Sequence, residues 1–204
     1  MTLELRRISY RTGAAGRIAA AYEEALPARV ELSPLAGFFT VDVGPLNSAL
    51  ELFWYPDAAT REGVAASVGQ LANWPIQHPD VTSMGEPLVL EDAPFNGPLE
   101  PGSYGGLFEL RQYELQGGSA GEVMGAWGER IEWRRSLSPV LGAWYLPGEP
   151  TDTYVHLWAY RDAAERQQVR AAAAASGNWP PKTAVSPLTQ ANLLALPASF
   201  SPIH

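Results

Sequence analysis

The chain predicts an α+β fold built from two tandem βαββαβ units. Three observations carry that prediction: a repeat at one constant offset, strand patterns that recur in both copies, and Ala-rich helical stretches between them. Asn-Trp-Pro stands at 73–75 and at 178–180, Leu-Ser-Pro at 32–34 and 137–139, and Glu-Leu-Arg at 4–6 and 109–111. Each pair is separated by 105 residues, and aligning 4–75 with 109–180 without gaps gives about 25 identities in 72 columns. Such internal periodicity is the signature of repeated supersecondary units.

Each element can then be read twice. Leu3 to Tyr10 and Leu107 to Leu115 alternate as strands. A Gly turn follows at Gly13 and Gly118, and helices are expected over Gly16 to Glu31 and Gly121 to Ser136. Pro27 is expected to kink or shorten the first of these. Gly37 to Val43 with Ser48 to Tyr55, and Gly142 to Leu146 with Thr153 to Tyr160, form hairpin patterns. Asp57 and Asp162 then read as N-caps of helices that Asn-Trp-Pro stops. Final strands are expected near Pro87–Glu91 and Asn192–Leu196. The order is the ferredoxin-like split arrangement, with residues 1–92 and 107–204 as repeats and the Pro/Gly-rich 93–106 as linker. Helices cover one face of such a sheet, so two copies are expected to pack sheet to sheet as an intramolecular α/β barrel.

Alternation splits the strand TYVHLWAY (153–160) into an aliphatic side, Val155 and Leu157, and a loaded side of Tyr154, His156, Trp158 and Tyr160. The aliphatic side is expected beneath the helices and the loaded side between the two half-sheets. Glu51, Phe53 and Tyr55 in the first copy share that side, as do Glu4, Arg6, Glu109, Arg111 and Tyr113. Buried charge needs partners, which Glu-x-Arg on one strand face supplies. Two readings stay open: a structural polar layer between the half-sheets, or a cavity for a small apolar or aromatic molecule bounded by these side chains. In an enzyme His156 would be the general acid or base. Arg111 would anchor an anionic group, Glu109 would orient Arg111, and Tyr113, Tyr154 and Trp158 would line the pocket.

Composition narrows the classes further. The net charge is −8 with scattered Lys and Arg, which argues against nucleic acid as partner. No cysteine is present, so thiol chemistry and disulfides are excluded, and the three histidines (His78, His156, His204) lack metal-ligand spacing. No segment reads as a membrane span or secretory signal, so a cytoplasmic protein without membrane insertion is expected. Asp57 with Arg61 and Asp162 with Arg166 read as caps with surface ion pairs. Trp74 and Trp179 read as packing at helix ends, and Ser33 and Ser138 as turn residues.

Three stretches together carry a resemblance: ELRQY (109–113), TDTYVHLWAYRDAAERQQVR (151–170) and LLALPASFSP (193–202). Through them the second copy resembles the NIPSNAP family along nearly its whole length. In the first copy ELRRI replaces ELRQY, and Glu51-Leu52-Phe53 stands where His156-Leu157-Trp158 stands. The resemblance implies a dimeric α/β barrel, here completed within one chain, with further homodimerisation left open. It says little of chemistry, since the fold also hosts cofactor-independent monooxygenases and haem enzymes. No cofactor is expected, and haem held by His156 is a third reading beside the cavity and a non-catalytic scaffold or interaction protein whose polar layer is purely structural. Any site built on the His-x-Trp motif should occur once.

Overall fold

The computed structural model describes every residue from Met1 to His204. The first repeat runs β1 (Thr2–Tyr10), α1 (Ala15–Val30), β2 (Leu35–Val43), β3 (Ser48–Tyr55), α2 (Ala58–Gly69), β4 (Val81–Met84) and β5 (Leu88–Asp92). The second runs β6 (Leu107–Gln116), α3 (Ala120–Gly128), α4 (Ile131–Arg135), β7 (Val140–Leu146), β8 (Thr151–Tyr160), α5 (Ala163–Ala175) and β9 (Thr189–Pro197). Strand order is β3-β2-β9-β6-β8-β7-β5-β1-β4, and β3 also pairs with β1. The ladder therefore closes on eight strands, with β4 attached to β1 as a ninth. β4 was not anticipated, because four residues of mixed polarity give no alternation to detect.

Two compact units emerge. The first comprises Met1–Leu90, Glu100–Gly102 and Leu196–His204, and the second Glu91–Leu99 and Ser103–Ala195. The end of each repeat thus belongs to the other repeat's unit. In the first unit Ala198 N donates to Phe38 O and Phe38 N donates to Ser201 Oγ. In the second, Ala93 N donates to Ala143 O and Ala143 N donates to Asn96 Oδ1. These are the same contacts shifted by 105 residues.

The helices differ from expectation at two points. α1 passes through Pro27 unbroken, whereas its counterpart divides into α3 and α4. Pro27 lies near the end of α1, and Gly125 and Gly128 weaken α3 where Arg130 N turns back to bond Trp127 O. Asp57 and Asp162 cap α2 and α5, accepting from Thr60 N and Glu165 N.

The larger correction concerns the faces. The loaded side of β8 lies against its own unit's helices, and the aliphatic side (Leu110, Val155, Leu157) is turned away from them. Tyr154, Trp158 and Tyr160 pack with Val123, Met124 and Trp127 of α3 and Ile131 of α4. The first unit agrees: Ile8, Phe53 and Tyr55 pack with Ile18 and Tyr22 of α1. The reason is bulk. No side chain of α2 is buried, and α5 buries only Ala173. Alanine-rich helices cannot fill the layer beneath them, so the strands supply its volume.

Both bulged strands carry a glycine that a neighbouring ring requires. A Cβ at Gly37 would lie 2.6 Å from the Phe39 ring, and one at Gly142 would lie 2.6 Å from that of Trp144. Gly142→Ala is expected to lower stability by roughly 1–3 kcal/mol through overpacking. Gly125→Ala, in open space within α3, should instead raise it by about 0.5–1 kcal/mol. Urea midpoints of the two variants check the contrast, and equal shifts would refute it.

Candidate functional site

In the second unit β6 and β8 pair with Glu109 opposite Trp158, Arg111 opposite His156 and Tyr113 opposite Tyr154. These six side chains share the helix-facing side. Glu109 is wholly buried and holds the cluster together. It accepts from Arg111 Nε at 2.9 Å, from Arg166 Nη2 at 2.7 Å and Nε at 3.0 Å, and from Asn192 Nδ2 at 3.3 Å. Arg170 Nη1 approaches to 3.6 Å. Arg166 is therefore no surface partner of Asp162: it reaches from α5 down to the sheet. Arg61 does the same from α2, donating to Glu4 at 2.8 Å.

Above this cluster lies a cavity of about 730 Å³, bounded by β6, β8, α3, α4, α5 and the segment after α5. Arg111, Tyr113, His156, Trp158 and Tyr160 line it, joined by Trp127, Arg134, Arg170, Ala173, Trp179 and Lys182. The sequence-predicted set is thus brought together in part. Glu109 stands behind Arg111, and Tyr154 is buried beside Trp127 without lining the space. Glu4, Arg6, Glu51, Phe53 and Tyr55 lie in the first unit and contribute nothing to it. The cavity sits under helices, not between half-sheets as the alternation had suggested.

Arg134 and Trp127 were missed. Arg134 is buried, donates to Ser138 Oγ at 3.0 Å and Tyr160 OH at 3.4 Å, and places its guanidinium carbon 4.4 Å from the Trp158 ring centroid. Arg29 repeats the arrangement with Ser33, Tyr55 and Phe53. Arg29/Arg134, Ser33/Ser138 and Tyr55/Tyr160 are identities at the 105-residue offset, so a signal existed. Trp127 has Tyr22 as counterpart, an indole in place of a phenol.

His156 is 1% exposed. Its Nδ1 accepts from Trp158 Nε1, and its Nε2 meets no partner. An indole N–H can only donate, so Nδ1 carries the lone pair and Nε2 the proton. Burial and the nearby Arg111 charge hold the imidazole well below its ordinary pKa. At neutral pH His156 is thus an uncharged N–H donor in the cavity wall. Its pKa thus lies below the near-neutral value anticipated for a general acid or base. This tautomer also disfavours haem, since Nε2 presents a hydrogen where iron needs a lone pair.

The first unit has the same frame with the space filled. β2 places Phe38 opposite Glu51, whereas β7 places Ala143 opposite His156. The Phe38 ring lies tilted against Tyr22 at 4.5 Å, Tyr22 meets Trp74 at 4.9 Å, and Trp74 meets Phe53 at 5.6 Å. Glu51 is buried there and pushed up to about 8 by burial, which the Arg6 charge only partly offsets. Arg6 Nε is 3.2 Å away without hydrogen-bonding it.

The closed eight-stranded ladder, formed by two βαββαβ repeats, defines a duplicated barrel of the α/β class. The chain belongs to the NIPSNAP family: the family's model matches residues 3–84 and again 108–202, agreeing with a tandem duplication. Among curated relatives, NipSnap homolog 1 of Danio rerio is 34% identical over 94 residues, covering 45% of this chain and 33% of that protein. NipSnap homolog 2 of Homo sapiens is 33% identical over 92 residues, covering 45% and 32%. The chain therefore spans about a third of the length of the curated relatives it matches. Among solved structures, a putative monooxygenase from Lactobacillus acidophilus covers 96% of this chain and 93% of its own at TM-score 0.63 and 9% identity. An anthrone oxidase-like protein covers 98% and 93% at 0.60 and 12%. At those identities the likeness concerns the fold alone. No helix of this chain is long and apolar enough to cross a membrane.

Two pH effects are expected. Glu51 binds its proton more tightly folded than unfolded, so wild type loses stability relative to Glu51→Gln as pH rises from about 4.5 to about 8. The gap should reach a few kcal/mol and then stay level. His156 has the opposite sense: its depressed pKa gives stability that is complete above pH 6.5 and lost as pH falls below it. Melting curves of His156→Gln and wild type between pH 8 and 5 should diverge on the acid side, and parallel curves would contradict the assignment.

Proposed function

We propose that this chain binds a small, largely aromatic molecule in the helix-covered cavity of its second unit, while the matching layer of the first unit is structural. The observation that carries the reading is the open space beside His156, walled by Trp127, Trp158 and Trp179 and containing a buried N–H donor without an acceptor. Ligand sites typically measure about 300–1,000 Å³ and combine apolar walls with a few polar groups. The volume of about 730 Å³ falls within that range. A purely structural polar layer fits less well, because it gives no reason for open space beside that donor.

The comparison between units supports the same view. Phe38 and Tyr22 fill the first unit's layer with rings, whereas Ala143 stands at the Phe38 position in the second. An enzyme activity is not part of the proposal, since His156 is uncharged and not poised to exchange protons near neutrality.

Plugging the cavity tests the idea. Ala173 faces it from α5, and Ala173→Phe should abolish the thermal shifts that aromatic fragments produce in wild type, with the far-ultraviolet spectrum retained. Fragments that stabilise both proteins equally would place binding elsewhere.

A further inference from the structure

Resting on the cavity reading above, we infer that the ligand is an aromatic carboxylate, its carboxylate held jointly by Arg111 and His156. The charge balance points this way. Arg111, Arg166 and Arg170 converge on one carboxylate, Glu109, and Arg134 lies within electrostatic reach of both Arg111 and Glu109. Four guanidinium groups thus face a single negative charge. Lys182 adds a further cation at the cavity, and no acidic side chain lines it. A surplus of positive charge in a largely buried site favours an anion from outside.

The donors are arranged for a carboxylate. Arg111 spends Nε on Glu109 and one Nη1 hydrogen on Tyr113 OH at 3.0 Å, which leaves Nη2 uncommitted. His156 stands directly opposite Arg111 in the strand pairing, on the same face. Directly opposed side chains start about 4.5–5.5 Å apart at Cβ. A carboxylate's two oxygens can therefore take one hydrogen from Arg111 Nη2 and the other from His156 Nε2. The fixed tautomer matters here: Nε2 offers a donor without a charge, so it accepts an anion and gives a cation or N–H group nothing. The adjoining rings of Trp127 and Trp179, with centroids 4.6 Å apart, and Tyr113 then surround the ligand's aromatic body.

Three probes of one shape separate the claims: 1-naphthoate, 1-naphthylmethanol and 1-naphthylmethylamine, titrated against the full chain by calorimetry. Naphthoate is expected to bind about tenfold more tightly than the alcohol, as for a charge-assisted pair, with the amine weakest. The double variant Arg170→Gln/Lys182→Gln, altering exposed side chains at the cavity, should reduce naphthoate affinity several-fold and the alcohol's affinity far less. His156→Phe should weaken naphthoate about tenfold. His156→Gln, which keeps an N–H donor, should retain most of the affinity, so loss of folding in the Phe variant would not decide the matter. Equal affinities for naphthoate and alcohol would overturn the carboxylate assignment while leaving the cavity reading intact. Binding by none of the three, or binding that Ala173→Phe fails to block, would overturn both.

Discussion

Glu109 is a carboxylate with no access to water, and its burial is possible only because guanidinium groups arrive from both layers. Arg111 reaches it along the same strand, while Arg166 and Arg170 descend from α5. A buried charge without partners would be strongly unfavourable, so the carboxylate fixes where the helix lies over the sheet. Glu4 and Arg61 make the same tie in the first unit. Once helix and strand are joined in this way, the intervening layer must be filled by whatever the strands carry there. In the second unit that filling is incomplete, and the incompleteness is the candidate site.

The two units show how duplication separates structure from ligand binding. The Arg29 and Arg134 arrangements, each with a serine and a tyrosine, occur in both and brace the helix layer. The differences lie at neighbouring positions on one face: Phe38 against Ala143, Glu51 against His156, Phe53 against Trp158, Tyr22 against Trp127. In the first unit a phenylalanine closes the layer beside a carboxyl whose burial raises its pKa. In the second an alanine stands there beside an imidazole whose burial lowers its pKa. Desolvation drives both shifts toward the neutral form.

Much of this was legible before any coordinates. The offset of 105 residues gave the element order, the caps at Asp57 and Asp162, and β3 to the residue. It also marked Arg111, His156 and Trp158 as one set, because alternation places residues on a common face whichever way that face points. The helical counterpart of α1 was less legible: Pro27 suggested a break in the first copy, while glycines allowed it in the second. Arg166 read as a surface partner of Asp162 because spacing along one helix cannot reveal a strand lying beneath it.

By itself the sequence determined the duplication, the βαββαβ order and the membership of each strand face, since these follow from local alternation and repeated identities. It did not determine which face meets the helices. That depended on how much volume α2 and α5 leave unfilled, which is a property of the assembled layers. The existence of a cavity was likewise decided only in three dimensions. Ala173 is one of a run of alanines in its helix, and it becomes a cavity wall only where α5 brings it to the space lined by Arg111 and His156.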